Sequence, residues 1–113
     1  MDRIAVAPSS ALPEGGALRF RIQHEGAPVE AFVVRQAGEL FAYVNRCTHR
    51  QVELDLGAGI FHHPDGSVLR CRAHGAMFDI RSGACAGGMC SKGSALARVA
   101  VEEHDGTIYA LPT

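Results

Sequence analysis

Between Ala17 and His24 the chain alternates, with Leu18, Phe20 and Ile22 apolar and Arg19, Arg21 and Gln23 polar between them. Successive side chains of a strand point to opposite faces, so this pattern predicts a β-strand with one buried face. Two further runs follow, Glu30 to Arg35 and Leu40 to Val44, set off by Gly26-Ala27-Pro28 and Ala37-Gly38. Glycine and proline supply the backbone angles that turns need, so the three runs predict an antiparallel meander. Ahead of it, Arg3 to Val6 predicts a first strand ended by Pro8, and Ser9 to Gly16, with Pro13 and Gly15-Gly16, predicts a loop. Shorter runs come after it: Val52 to Leu54; Ser67 to Arg70, led in by a turn at Pro64-Asp65-Gly66; and Ala76 to Ile80, closed by a turn at Ser82-Gly83. Ala84 to Gly93 reads as a loop, and two last strands, Leu96 to Glu102 and Thr107 to Leu111, pair across His104-Asp105-Gly106. No helix, repeat or linker is predicted, and the fold class is all-β.

A length of 113 residues predicts one domain, spanning 1–113. The formal net charge of −1 provides no basic field for nucleic acid or an anionic membrane surface. No apolar run approaches the roughly 18 to 20 residues that cross a bilayer. Met1-Asp2-Arg3-Ile4 lacks the charged and apolar regions of a signal peptide, so the expectation is a soluble, cytoplasmic protein.

The candidate chemistry is concentrated in Cys47-Thr48-His49 and Cys71-Arg72-Ala73-His74, two Cys-His pairs with 21 residues between His49 and Cys71. Two thiolates and two imidazoles suit tetrahedral zinc or an iron–sulfur cluster. A zinc finger commonly places Cys with Cys and His with His, whereas here each segment supplies one of each. That division suits a dinuclear site, in which each loop gives its Cys to one iron and its His to the other. Structural zinc, in a stabilised binding module, stays open as the alternative.

Cys47-Thr48-His49 and Cys71-Arg72-Ala73-His74-Gly75 resemble, in this order, the two boxes of a Rieske iron–sulfur domain. The resemblance runs from about Asn45 through Phe78-Asp79 to the closing Gly106-Thr107-Ile108-Tyr109. It implies an antiparallel β sandwich with a small cluster-binding subdomain formed by two loops, over about 45–91. It also implies a [2Fe–2S] cluster with Cys47 and Cys71 on one iron and His49 and His74 on the other, the imidazole edges lying at the surface. Respiratory Rieske subunits carry a membrane anchor and ring-hydroxylating oxygenase subunits a long mononuclear-iron domain; 113 residues leave room for neither. The expectation is therefore a monomeric carrier, not an enzyme, taking one electron from a flavin-dependent ferredoxin reductase to a terminal, ring-hydroxylating oxygenase. A small Rieske subunit of an assimilatory nitrite reductase is the second reading.

Departures from the respiratory pattern bear on the potential. The additional Cys after each box is absent from Arg50-Gln51-Val52 and Gly75-Ala76-Met77, and Ala76 and Phe78 replace hydroxyl donors to the cluster sulfurs. Fewer donors predict a potential in the lower part of the Rieske range. Gly75 is expected to let backbone N–H groups approach the sulfides. In the third loop, Cys85 and Cys90 are either a local disulfide or two thiols, the latter favoured by a reducing cytoplasm. An all-thiolate cluster from the four Cys would match neither common ferredoxin spacing. His62-His63 are expected to be solvated, and His24 and His104 to be surface residues. Arg46, Arg50, Arg70 and Arg72 are either a cationic collar for an acidic partner or solvated loop ends.

Overall fold

The computed structural model describes residues 3–48, 52–57, 59, 61–73 and 75–113. In chain order its strands are β1 (Ile4–Pro8), β2 (Ala17–His24), β3 (Ala27–Gln36), β4 (Glu39–Val44), β5 (Leu69–Arg70), β6 (Met77–Phe78), β7 (Cys85–Gly87), β8 (Arg98–Val99), β9 (Val101–His104) and β10 (Thr107–Ala110). The chain forms two compact units, one of Met1–Val44 with Arg98–Thr113 and one of Asn45–Ala97. Among the described residues the only helical turn is a short 3₁₀ segment at Ser9–Ala11. No helix among them is long and apolar enough to cross a membrane.

The first unit is an antiparallel β sandwich. One sheet runs β1-β10-β9 and the other β2-β3-β4-β8. Ile22, Ala31, Val33, Ala42, Val44 and Val99 from one sheet meet Ile108 and Ala110 from the other in a core that Leu12 completes. The alternation of β2 places Ile22 in this core and leaves Arg19, Arg21 and Gln23 exposed, as its period predicts. β3 and β4 are buried on both faces instead: Ala31, Phe32, Val33 and Val34 are all fully enclosed, and Phe32 pairs with Tyr43 across the strands.

The predicted meander is present with longer strands and tighter turns. β3 starts at Ala27, so Pro28 lies inside the strand and the turn is Glu25-Gly26. The strand tolerates proline there because β4 pairs with β3 only from Ala31 onward, and no neighbour needs the missing N–H. Three hairpins turn on two left-handed residues, Glu25-Gly26, Ala37-Gly38 and Asp105-Gly106, the geometry that matches strand twist. Alanine is poorly suited to that conformation, and Ala37 is held in it by Glu14, whose carboxylate accepts the Ala37 and Gly38 N–H groups at 2.6 and 2.8 Å. The two bonds hold the Glu14 carboxyl below its usual range.

The run Leu96 to Glu102 is not one strand. β8 pairs with β4 and β9 with β10, and the chain changes sheet at Ala100. Val99 and Val101 both face the core, so the alternation continues through the corner while the partner strand changes.

The second unit holds one small sheet, β5-β6-β7. Its turn at Pro64-Asp65-Gly66 is closed by the Gly66 N–H on the His63 carbonyl at 2.7 Å, and Asp65 accepts the Ser67 N–H at 2.9 Å. Val52 to Leu54 is not a strand, because the Leu54 N–H is taken by a side chain, that of Asn45. The stretch Ala84 to Gly93 is more ordered than a plain loop: β7 lies within it, antiparallel to β6.

Candidate metal centre

The first box follows the end of β4. Asn45, Cys47, Leu54 and Asp55 are buried, and Cys47 is 2% exposed. The Cys47 N–H donates to the Val52 carbonyl at 2.9 Å, folding the box back on itself. Around this turn runs a buried polar network. Asn45 Oδ1 accepts the Leu54 N–H at 2.9 Å, and Asn45 Nδ2 donates to Asp55 Oδ1 at 3.2 Å. Asp55 also accepts the Gly57 N–H at 3.2 Å and the Gly59 N–H at 2.9 Å. A carboxyl buried in this way is tolerated only when hydrogen-bonded. Neither Asn45 nor Asp55 stands out in the sequence as a residue that shapes the box.

The second box is the connection of a hairpin. β5 leads into it and β6 leaves it, in the register Leu69↔Phe78 and Arg70↔Met77. Cys71, 1% exposed, donates its N–H to the Ala76 carbonyl and accepts the Gly75 N–H on its own carbonyl, both at 2.8 Å. Gly75 has φ +76°, so its missing Cβ secures a left-handed turn, and its own N–H is engaged within the box. The two loops are joined directly by the Arg72 N–H on the Leu54 carbonyl at 2.8 Å.

The third loop packs on the second box. Cys85 and Cys90 are a disulfide, Cα to Cα 5.9 Å, which overturns both the two-thiol expectation and the all-thiolate cluster. A Cβ built on Gly88 would lie 2.2 Å from the Gly75 carbonyl oxygen and 3.1 Å from Ala76 Cα, so only glycine allows this backbone contact. Thr48 and Ser94 hydroxyls meet at 3.2 Å, tying the first box to the far end of the same loop.

Cys47 and Cys71 are thus both buried and neither is in the disulfide. His49, His74 and Arg50 lie outside the described residues. Among the described residues no three Cys, His, Asp or Glu side chains form a metal-binding group, two of the four expected ligands lying outside them. Two enclosed thiols at tight turns fit a soft metal or an iron–sulfur cluster, which takes its protein thiolates in such a setting.

Other expected surface residues divide. His104 is exposed, whereas His62 is half-buried, its Nε2 enclosed without a hydrogen-bond partner and its pKa lowered by burial. Its cross-strand bridge to Leu69 draws it inward, so it is only partly solvated. Arg46 and Arg72 are exposed, and Arg70 is partly enclosed with Nε shielded.

Comparison with known proteins supplies the family. The model of the Rieske [2Fe-2S] domain matches residues 2–105. The 3-phenylpropionate/cinnamic acid dioxygenase ferredoxin subunit of Escherichia coli (strain K12) is 31% identical over 83 residues, covering 74% of this chain and 70% of that one. The ferredoxin of carbazole 1,9a-dioxygenase from Nocardioides aromaticivorans IC177 superposes with a TM-score of 0.78 at 26% identity, covering 100% of both chains. A ferredoxin solved as a complex of reduced oxygenase and oxidized ferredoxin in carbazole 1,9a-dioxygenase superposes with a TM-score of 0.73 at 26% identity, covering 96% of this chain and 91% of that one.

Proposed function

Because this chain belongs to the Rieske [2Fe–2S] domain family and carries that family's Rieske-type cluster, we propose that it is the ferredoxin of a ring-hydroxylating dioxygenase system. It carries one electron at a time to the terminal oxygenase and catalyses no reaction of its own. The observation that carries the reading is the pair of buried thiols, Cys47 and Cys71, on two loops hydrogen-bonded to each other in a chain superposable on such ferredoxins. The relatives are dioxygenase ferredoxins, which favours the carrier over a nitrite reductase subunit and over a zinc module.

We assign the cluster to Cys47, His49, Cys71 and His74. When bound, the cluster supplies a one-electron couple at an iron with imidazole rather than thiolate ligands. Cys47 and Cys71 serve as thiolates, kept from water by their burial. His49 and His74 serve as neutral imidazoles, each with a second ring nitrogen able to hold a proton. Electron uptake is then linked to proton uptake at alkaline pH. A flavin-dependent reductase is the electron donor, and the protein works as a cytoplasmic monomer with residues 1–113 acting as one domain.

Reductive titration of anaerobically purified protein, followed by visible absorption across pH, tests this. The expected result is a coloured protein that takes up one electron and whose potential falls at alkaline pH. Cys71→Ser and His74→Ala should each abolish the visible band. A colourless protein with stoichiometric zinc overturns the assignment.

A further inference from the structure

We propose that the Cys85–Cys90 disulfide is a thiol–disulfide exchange site whose state sets how firmly the second ligand box is held. The proposal rests on the assignment of Cys71 and His74 to the cluster. Two cysteine populations are present. Cys47 and Cys71 are buried, whereas Cys85 and Cys90 are oxidised and only partly buried, within reach of a small thiol.

The disulfide closes residues 85–90, and what that short ring touches is the second box. Cys85 is paired with Phe78, and Gly87 with Met77, the two residues of β6 that lead out of the box. Cys90 Sγ lies 3.3 Å from the Met77 carbonyl oxygen. Gly88, at φ +72°, presses backbone to backbone on Gly75 and Ala76. Those two residues close the box, through the Gly75 N–H on the Cys71 carbonyl and the Ala76 carbonyl on the Cys71 N–H. A ring this short constrains the unfolded chain less than a long one would, and it also imposes a local shape on the folded loop. Gly87 and Gly88 have no side chains to anchor them, and the covalent ring takes that part. Disulfides in reducing compartments are usually transient and serve catalysis or sensing.

The exchange needs a reductant, and glutathione or another small thiol supplies it. A glutathione thiolate attacks one of the two sulfurs, the Cys85–Cys90 bond breaks, and the departing cysteine takes up a proton. A second glutathione displaces the first as glutathione disulfide, leaving two cysteine thiols. Both electrons come from glutathione. With the ring open, the 85–90 segment keeps its β6 pairing and, at one end, the Cys85 N–H on the Ser94 carbonyl at 2.8 Å, while Gly88 and Cys90 lose their covalent tie and the Gly75–Ala76 closure its rigid backing.

The holoprotein is equilibrated anaerobically in glutathione buffers of increasing reduced fraction. Three quantities are followed: thiols counted by alkylation after unfolding, amide hydrogen exchange at Cys71 and Gly75, and the rate at which a chelator bleaches the visible band. Of the four cysteines, two should count as thiols in oxidising buffer and all four in reducing buffer. Over the same buffers, exchange at the two amides should quicken by about tenfold, with faster bleaching. The Cys85→Ser/Cys90→Ser double variant should show the open values in every buffer. If that variant does not fold, the buffer series on the unaltered chain decides alone. Exchange unchanged on opening overturns the proposal, as does a thiol count that no buffer alters. Protein colourless from the outset overturns the metal assignment instead, and the amide exchange still decides the latch.

Discussion

Asp55 binds nothing in the proposed function, yet it organises the loop that does. It is fully buried and receives N–H groups from Asn45, Gly57 and Gly59. Removing the acceptor leaves the buried Asn45 Nδ2 unpaired and the Gly57 and Gly59 N–H groups to water, which predicts that Asp55→Ala costs about 2 kcal/mol and roughly 10 °C in Tm, with about half that for Asp55→Asn. Thermal unfolding followed by circular dichroism measures both. A second pair makes a pH prediction. Arg35 donates to both oxygens of Glu103, at 3.1 and 2.7 Å, and holds that carboxyl down from 4.5 to about 2. A lowered carboxylate pKa stabilises the fold above the unfolded value, and the contribution is lost as pH falls through the folded value. Glu103→Gln should therefore lower Tm at neutral pH, and its difference from the unaltered chain should close between about pH 5 and pH 2. At this scale the candidate ligands stand out in the sequence, because Cys and His in paired spacing carry their chemistry in their identity. Asp55 is not, because nothing in a residue's name separates a buried acid from a solvated one. His62 escaped for the converse reason, its partial burial being set by a strand partner, Leu69, that only the fold supplies.

Elements repeat this division. The meander β2-β3-β4 is readable because its alternation and its glycine turns agree. The second unit's strands are two or three residues long, too short for a period to register, and their existence depends on pairing across the boxes. β7 in particular hides in a stretch rich in glycine, where composition reads as loop. Its packing makes a sharp expectation. Gly88→Ala brings a Cβ to 2.2 Å from a backbone oxygen at φ +72°, whereas Gly93→Ala, at φ +90°, meets nothing within 4 Å. The first should cost at least about 2 kcal/mol and reduce cluster retention, the second about 1 kcal/mol of backbone strain alone. Iron content per chain and urea unfolding of the two variants check the ordering.

For the molecule as a whole, the family is legible and the partner is not. Paired boxes in a fixed order are a chemical signature, whereas a docking surface is written in shape. The potential belongs to this scale. Ala76 and Phe78 are both fully buried and bring no hydroxyl to the cluster. The expected midpoint lies near the negative end of the Rieske range, about −150 mV, and a value well above zero would contradict the carrier reading. Finally, β4 and β8 are hydrogen-bonded neighbours, Tyr43 opposite Arg98 and Ala42 opposite Val99. Everything from Asn45 to Ala97 therefore leaves and re-enters the sandwich at adjacent points of one antiparallel pair, as an insertion does in a host hairpin. Closure of so long a connection costs about 2 kcal/mol more than closure of a four-residue one, since the cost grows only with the logarithm of length. The junction at Val44 and Arg98 is therefore a socket, the place at which a foreign module could be spliced into the chain without cutting a strand of the sandwich.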